Sequence, residues 1–173
     1  MDSEQGMIVD AGPLIYLAKI DALDIFRPER PGGLTEGVRR ETLVPQATYR
    51  FPEIVAIERA LAVGQLRLLP MHADEQEAAA DLERRIPGLG TGERESIAVA
   101  QGRTWSALLF DRRAARIARS MGIQAVTPIE ILLARTVGDD LLARRIRRLA
   151  GLTDMRIDAL EQILERVKER SRW

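Results

Sequence analysis

Three acidic residues stand at points in the sequence where a metal-dependent reaction could take place. Asp10 follows the apolar run Met7–Val9, and Asp111 follows the apolar run 107–110. If these runs form neighbouring parallel strands, both aspartates leave the sheet at its carboxyl edge, where open α/β sheets place their chemistry. Glu93 lies between them in the sequence, just after Gly-Thr-Gly. Together the three carboxylates predict a divalent-metal site.

The chemistry of such a site follows from its ligands. Clustered carboxylates repel one another, so a fold keeps them mainly where a cation neutralises their charge. Oxygen ligands of this kind favour Mg²⁺ or Mn²⁺, and either ion promotes hydrolysis of a phosphodiester by activating water and binding phosphoryl oxygens. Each acid also has a structural alternative, because a carboxylate beside a helix start can cap that helix.

Several other chemistries are excluded by composition. The chain has 173 residues and no cysteine, so it has no disulfide framework, thiolate zinc site or cysteine nucleophile. It has one histidine, His72, and no Gly-x-Ser-x-Gly, which argues against a Ser/His/Asp triad. The Gly-x-x-x-x-Gly-Lys-Ser/Thr motif that cradles phosphates is also absent.

Charge and hydropathy give weaker indications. The 26 basic and 26 acidic residues balance, so no global field favours a nucleic-acid partner. Arg112, Arg113 and Arg116 nevertheless cluster beside Asp111, as either a solvated helix face or a set of phosphate contacts. The N-terminus is unlike an export signal, and no apolar run approaches the ~20 residues that span a bilayer. We therefore expect a cytoplasmic protein without membrane spans.

The elements that must position the acids alternate between strands and helices over residues 7–134. Strands are predicted at 7–9, 42–45, 66–70, 107–110 and 123–126, with a loop over 27–37. Helices are predicted to start near Pro13, Pro52, Asp74, Glu93, Arg112 and Pro128. This alternation predicts an α/β fold in which helices cover both faces of a parallel sheet.

The last part of the chain is predicted to be helical throughout. Residues 139–172 show two helical patterns with no strand between them. We therefore divide the chain into a domain over 1–137 and a C-terminal helical extension over 138–173, packed on the domain or on a partner. An apolar stripe from Leu149 to Val167 also leaves open a role as a structural subunit of a larger assembly.

The order and spacing of these motifs resemble the PIN-domain family, particularly the bacterial branch related to VapC-type toxin nucleases. The segments that carry the likeness are Ile8–Ile15, Gly92–Ala100 and Leu108–Arg116. A further segment, Val44–Tyr49, and the stretch from Gly122 onward also fit the family pattern. The likeness extends from residue 7 to about residue 134.

The resemblance implies a three-layer α/β/α PIN-like domain that acts as a Mg²⁺- or Mn²⁺-dependent endoribonuclease. Asp10, Glu93 and Asp111 match three acidic positions of the family and would be its catalytic metal ligands. Beside Asp111, the arginines at 112, 113 and 116 would contact RNA phosphates. Relatives commonly pair as homodimers, and a toxin would have an antitoxin as its partner protein.

The sequence also departs from the family pattern. The usual second acidic position falls on Phe51, and Glu53 would replace it only if Pro52 redirects the chain, since two residues turn a helical side chain by about 200°. Gly12 and Arg112 stand where the family often has a hydroxyl residue and an acid. These departures support an alternative, a weakened or inactive PIN-like module that binds RNA or a partner protein.

Overall fold

A parallel β-sheet forms the centre of the protein in the computed structural model, which describes residues 6–44 and 51–170. Within these ranges the strands are β1 (Met7–Val9), β2 (Gly32–Leu34), β3 (Leu66–Leu68), β4 (Ser106–Leu108) and β5 (Ala125–Val126). Their order across the sheet is β3-β2-β1-β4-β5, and every neighbouring pair is parallel. Strand β1 therefore lies at the centre, between β2 and β4.

Helices connect the strands and continue after the last one. The helices of the described ranges are α1 (Ala11–Lys19), α2 (Glu36–Thr42), α3 (Pro52–Ala62), α4 (Ala73–Arg85), α5 (Thr91–Arg103), α6 (Arg112–Ser120), α7 (Pro128–Arg135), α8 (Asp139–Leu152) and α9 (Ile157–Arg170). A short 3₁₀ turn at Leu23–Ile25 follows α1. In these ranges no helix combines the length and apolar character that crossing a membrane requires.

Alternate side chains of the central strand pack into hydrophobic clusters on opposite faces of the sheet. Met7 and Val9 belong to the cluster that α1 and α8 complete, and Ile8 belongs to the cluster that α5 and α6 complete. A strand buried on both faces reads as a continuous apolar run, which is why β1 was recognisable in the sequence. The result is the predicted three-layer α/β/α arrangement, so the predicted fold class is confirmed.

Strand β2 lies inside the stretch that the sequence predicts to be a loop. The strand predicted at 42–45 is wrong, because Thr42 is the last residue of α2, whereas 45–50 lie outside the described residues, with most of Val44–Tyr49. A Cβ on Gly33 would lie 2.4 Å from Leu69 Cδ1, so this strand position accepts only glycine without a shift of its neighbour. Glycine here marks close packing rather than a turn.

The C-terminal helices pack on the domain within this chain. Leu142, Ile146 and Leu149 of α8 share a hydrophobic cluster with α1, and Val167 of α9 joins it. Most of the apolar stripe noted in the sequence is thus intramolecular core. The boundary at residue 137 stays a prediction, and α8 and the end of α1 are in direct polar contact.

That polar contact is made by two arginines of α8. Arg145 is buried, and its Nη2 donates to the carbonyl oxygen of Asp21 at 2.6 Å and to the carboxylate of Asp24. Arg148 donates to the Lys19 carbonyl at 2.7 Å and pairs with the Asp21 carboxylate at 2.8 Å. These bonds satisfy carbonyl groups at the C-terminal end of α1 and anchor α8 there.

Candidate active site

Asp10 and Asp111 leave neighbouring strands at the same edge of the sheet. Strands β1 and β4 pair so that Val9 lies beside Leu108. Asp10 follows Val9, and its backbone N–H donates to the Leu108 carbonyl at 3.1 Å. Asp111 follows β4 at the N-terminus of α6. The predicted pairing of the two apolar runs is therefore present, and it directs both aspartates to the carboxyl edge.

Asp10 is a buried carboxylate whose neighbours are acids. It is only 6 % exposed, and its Oδ1 is buried without a hydrogen-bond partner in the described part of the chain. Burial raises the pKa of Asp10 to about 7, and the Ala11 N–H opposes that shift. The nearby negative charges of Glu93, Glu41 and Asp111 raise this pKa as well. A free carboxylate oxygen among other acids is suited to bind a cation.

Glu93 lies in the first turn of α5, as the sequence predicts. Its Oε2 accepts the backbone N–H of Gly90 at 2.9 Å, so the carboxylate caps its own helix. The bond leaves Glu93 near enough to Asp10 to raise the pKa of that aspartate. Glu93 therefore caps its own helix and also lies close enough to Asp10 to act on its pKa.

Glu41 is a fourth acid that the sequence reasoning missed. It lies near the end of α2, and its Oε1 accepts the backbone N–H of Gly92 at 2.8 Å. A Cβ on Gly92 would lie 3.0 Å from Glu41 Oε2, so glycine allows this approach. The sequence pattern hides this acid, because Glu41 comes before the strand predicted at 42–45, from which the second acidic position is counted. Glu41 lies seven positions after Leu34, the last residue of β2, so counting from the observed strand locates it.

The first turns of α2 and α5 are fixed by reciprocal contacts. Glu41 of α2 accepts from Gly92 in α5, and Glu95 of α5 accepts from the Gly37 N–H in α2 at 2.7 Å. Helix N-termini leave N–H groups without intrahelical partners, and carboxylates are favourable there. The exchange holds Glu41 beside the first turn that carries Glu93.

Asp111 caps α6, as its structural alternative predicts. Its Oδ1 accepts the Ala114 N–H at 2.8 Å, whereas Asp10 makes no such side-chain bond to the start of α1. Capping thus accounts for Asp111 and for part of the position of Glu93, whereas Asp10 interacts only with the N–H of Ala11 and makes no N-cap hydrogen bond to α1. Burial penalises the charged form of Asp10, and no N-cap hydrogen bond offsets that penalty.

The acidic residues do not form a ready coordination shell as they stand. Within residues 6–44 and 51–170, no three acidic or histidine side chains lie close enough together to hold one metal ion. The reason is visible in the bonds of Glu41, Glu93 and Asp111, since each accepts a backbone N–H. The free Oδ1 of Asp10 and the oxygen-only donor set fit Mg²⁺ or Mn²⁺ in chemistry. A shared ion requires the capping side chains to turn toward Asp10.

Glu53 is not part of this cluster. Its Oε1 lies 3.5 Å from Nζ of Lys19, the last residue of α1. Asp10 precedes the first residue of that helix, so about 13 Å of helix separates the two ends at 1.5 Å per residue. Phe51 is exposed at the N-terminus of α3. The acid that acts on Asp10 besides Glu93 and Asp111 is therefore Glu41 and not Glu53.

The three α6 arginines predicted to contact RNA phosphates have different surroundings. Arg112 lines a groove beside Asp111, and Arg116 lies one turn further along the helix and is exposed. Arg113 points elsewhere, since its Nη2 donates to the Pro87 carbonyl at 3.0 Å. Arg112 is thus the arginine best placed to meet a phosphate that approaches Asp111.

The groove beside Asp111 has a volume of about 650 Å³ and separates the sheet edge from the C-terminal helices. Phe110 and Arg112 form one wall, and Arg156 of the α8–α9 turn lies on the other. Phe110 is 41 % exposed, and its ring centroid lies 4.9 Å from that of Tyr16. An exposed aromatic ring in a groove that two arginines also line is a surface on which an unpaired base can stack.

Comparison with known proteins agrees with the architecture. Residues 6–169 match a family model described as a PIN domain, so the chain belongs to the PIN-domain family. The match includes α8 and most of α9, which makes the C-terminal helices part of the family pattern. No curated protein and no solved structure matches significantly. PIN domains are generally nucleases, so this chain has a nuclease-type fold.

Proposed function

We propose that this protein is a divalent-metal-dependent endoribonuclease that hydrolyses RNA phosphodiester bonds. The observation that supports this most strongly is Asp10, whose buried Oδ1 lacks a partner in the described residues while three other acids surround it. A fold gains no stability from that arrangement by itself, because burial penalises the charged carboxylate. A bound cation would reverse the penalty.

The proposed ligands are Asp10, Glu93 and Asp111, with Glu41 as the fourth acid. Mg²⁺ or Mn²⁺ bound there would supply an activated water and neutralise charge on the phosphate. Asp10 would have to give up its proton to hold the ion, since its raised pKa leaves it largely protonated below neutral pH. Glu41 and Glu93 accept N–H groups at the start of α5, and both would turn from these bonds to reach a shared ion.

RNA would reach this edge along the groove beside Asp111. Arg112 would contact a phosphate next to the scissile one, because guanidinium groups match phosphate oxygens. Phe110 would stack on an unpaired base, in a groove that Arg156 also lines. Arg116 would extend the phosphate contacts by one helical turn, and Arg113 would contribute least, since it is bonded to Pro87.

A cleavage assay tests this function directly. Single-stranded RNA is incubated with Mg²⁺ or Mn²⁺ and with wild-type protein or Asp10→Asn. The matched control is Asp81→Asn, which removes the same charge from a surface ion pair with Arg84 on α4. We expect metal-dependent cleavage by the wild type and the control, and its loss in Asp10→Asn. Cleavage that is absent, or that Asp10→Asn leaves intact, contradicts the proposal.

A second candidate function is favoured by the geometry of the caps. Glu41, Glu93 and Asp111 all bond backbone N–H groups, and no three acids in the described ranges converge at ligand distance. A PIN-like module that binds RNA or a partner protein without cleaving it would keep these caps permanently. Metal-independent RNA binding that Asp10→Asn leaves unchanged, with no cleavage, would favour this module.

The biological setting is also a proposal. We infer a VapC-like toxin role, in which a homodimer acts on cellular RNA in the cytoplasm and an antitoxin protein restrains it. The support is the sequence likeness to toxin-type relatives. Light scattering at micromolar concentration tests the dimer, and co-expression of a neighbouring reading frame that relieves growth inhibition tests the antitoxin. Monomer alone, or no toxicity on expression, would contradict these parts.

A further inference from the structure

A second cavity, of about 340 Å³, lies at the amino edge of the sheet, opposite the acidic cluster. Gly6, which precedes β1, and Trp105, which precedes β4, form part of its wall. Arg135 reaches it from the end of α7. The volume falls at the lower end of the range for small-molecule sites. Its position makes any ligand here independent of the candidate nuclease centre.

The cavity is basic in a chain whose net charge is zero. Arg30, Arg67 and Arg135 line it, against the single carboxylate of Glu29 among the described lining residues. Arg67 is partly engaged, since its Nη2 donates to the Pro28 carbonyl at 3.0 Å. Arg30 and Arg135 form no ion pair with a carboxylate of residues 6–44 or 51–170. Positive charge is therefore concentrated around an open space.

Arg135 carries the strongest sign of a ligand. Its Nη1 is buried and has no hydrogen-bond partner in the described part of the chain. The guanidinium lies 5.8 Å from the centroid of the Phe26 ring, an apolar neighbour. Burial lowers the pKa of Arg135, and the like charge of Arg30 lowers it further. A buried donor without a partner is unfavourable, and an anion in the cavity would offset that cost by pairing with the guanidinium charge.

We propose that this cavity binds a small phosphate-bearing ligand through Arg135 and Arg30. Guanidinium groups that converge from separate segments need several acceptor oxygens, and a phosphate monoester offers three, whereas a carboxylate offers two. The ligand is either a free mononucleotide or the phosphorylated end of an RNA. Both present the same phosphate group, and the cavity volume accommodates one nucleotide at most.

Titration calorimetry tests the site with inorganic phosphate and adenosine 5′-monophosphate as probes. The full-length protein is used with a chelator present, so that no divalent ion bridges phosphate to the acidic cluster. We expect saturable binding that weakens about 10-fold or more in Arg135→Gln, as loss of a charged hydrogen bond predicts. Arg30→Gln, at an exposed position, should weaken binding without risk to the fold. Acetate should bind more weakly than phosphate.

Controls separate this site from general attraction to arginine. Arg166→Gln removes an exposed arginine on α9 and should bind both probes like the wild type. A short RNA with and without a 5′-phosphate distinguishes the two sources, since preference for the phosphorylated RNA over the mononucleotide assigns the site to RNA ends. Absence of saturable binding, or equal affinity in the Arg30, Arg135 and Arg166 variants, overturns the proposal.

Discussion

Among the described residues, Asp10 and Glu75 are buried to a similar degree, and their surroundings are opposite. Glu75 of α4 is 2 % exposed, and Arg103 donates to it at 2.6 and 2.9 Å. The His72 N–H adds a third bond at 2.8 Å. Asp10 is 6 % exposed, has acids as neighbours, and keeps one oxygen without a partner in the described residues. The charge and hydrogen bonds of Glu75 are matched by other residues of the chain, whereas Asp10 keeps an oxygen that could bind a ligand.

The pKa values of Glu75 and Asp10 are shifted in opposite directions. The Arg103 guanidinium lowers the pKa of Glu75, whereas burial raises the pKa of Asp10 to about 7. Helix α5 links the two regions, because Gly92 and Glu93 lie at its start and Arg103 at its end. Burial alone is thus a poor sign of function. The informative combination is burial with an unpartnered polar atom, which Arg135 shows with the opposite charge.

The largest expected difference concerns catalysis. Asp10→Asn should lower metal-dependent RNA cleavage about 10²- to 10³-fold, because an ion that stabilises transition-state charge is worth several kcal/mol. Glu75→Gln should leave the cleavage rate per folded molecule unchanged, since Glu75 belongs to the paired region. Single-turnover rates at saturating Mn²⁺ measure both. Equal losses in the two variants would remove the distinction between the regions.

The next difference concerns stability. Arg103→Met should lower the free energy of unfolding by about 3 kcal/mol or more, because it leaves the buried Glu75 charge without its partner. The double variant with Glu75→Gln should recover part of that loss. Urea unfolding at neutral pH measures each variant. A loss below about 1 kcal/mol would mean that this pair behaves like a surface ion pair.

The pH dependence of stability should have opposite signs for the two carboxylates. The pKa of folded Asp10 is about 7, above its ordinary value of 3.8, so its contribution is greatest below pH 4 and is lost as pH rises through 7. The loss is about 2 to 3 kcal/mol after allowance for local relaxation. Glu75 has a lowered pKa, so its contribution is present at neutral pH and is lost on acidification.

Unfolding of metal-free protein between pH 4 and pH 8 checks this prediction. The difference between wild type and Asp10→Asn isolates Asp10, and the difference between wild type and Glu75→Gln isolates Glu75. An Asp10 difference that does not vary with pH would show that this carboxylate titrates normally.

The smallest expected effect concerns the approach of Glu41 to α5. Gly92→Ala would place a Cβ 3.0 Å from Glu41 Oε2 and 3.1 Å from Val38 Cγ2, so Glu41 must shift. We expect about 1 kcal/mol of lost stability and about 10-fold slower cleavage, as for displacement of a metal-site partner. Gly151→Ala on α8 is the control, because its Cβ meets nothing within 4 Å. Unchanged cleavage in Gly92→Ala would exclude Glu41 from the site.

Sequence reasoning found the parts of the site that follow strands with a clear apolar pattern. Asp10 and Asp111 were recognisable because β1 and β4 are buried on both faces and read as short apolar runs. Glu93 followed from its place at a helix start. The same reasoning predicted the parallel sheet and the helices on both of its faces.

The remaining features depend on contacts that local patterns do not encode. Gly32 and Gly33 read as a loop because their role in β2 arises from the side chains of Val9, Leu66 and Leu69 packed against them. Without β2, the sequence pattern does not identify Glu41 as a site residue. The basic cavity draws Arg30, Arg67 and Arg135 from three separate segments, so no motif in the chain marks it.

A carboxyl ¹³C NMR titration of Asp10, with and without Mg²⁺, tests the central claim most directly. In metal-free protein we predict a pKa of about 7 for Asp10, because of its burial among other acids. Saturating Mg²⁺ should lower that pKa well below neutrality, as bound ions do for their ligands. The Glu75 pKa should stay low in both conditions, since Arg103 already neutralises it. An Asp10 pKa near 4 that Mg²⁺ leaves unchanged would contradict a metal site at this edge of the sheet.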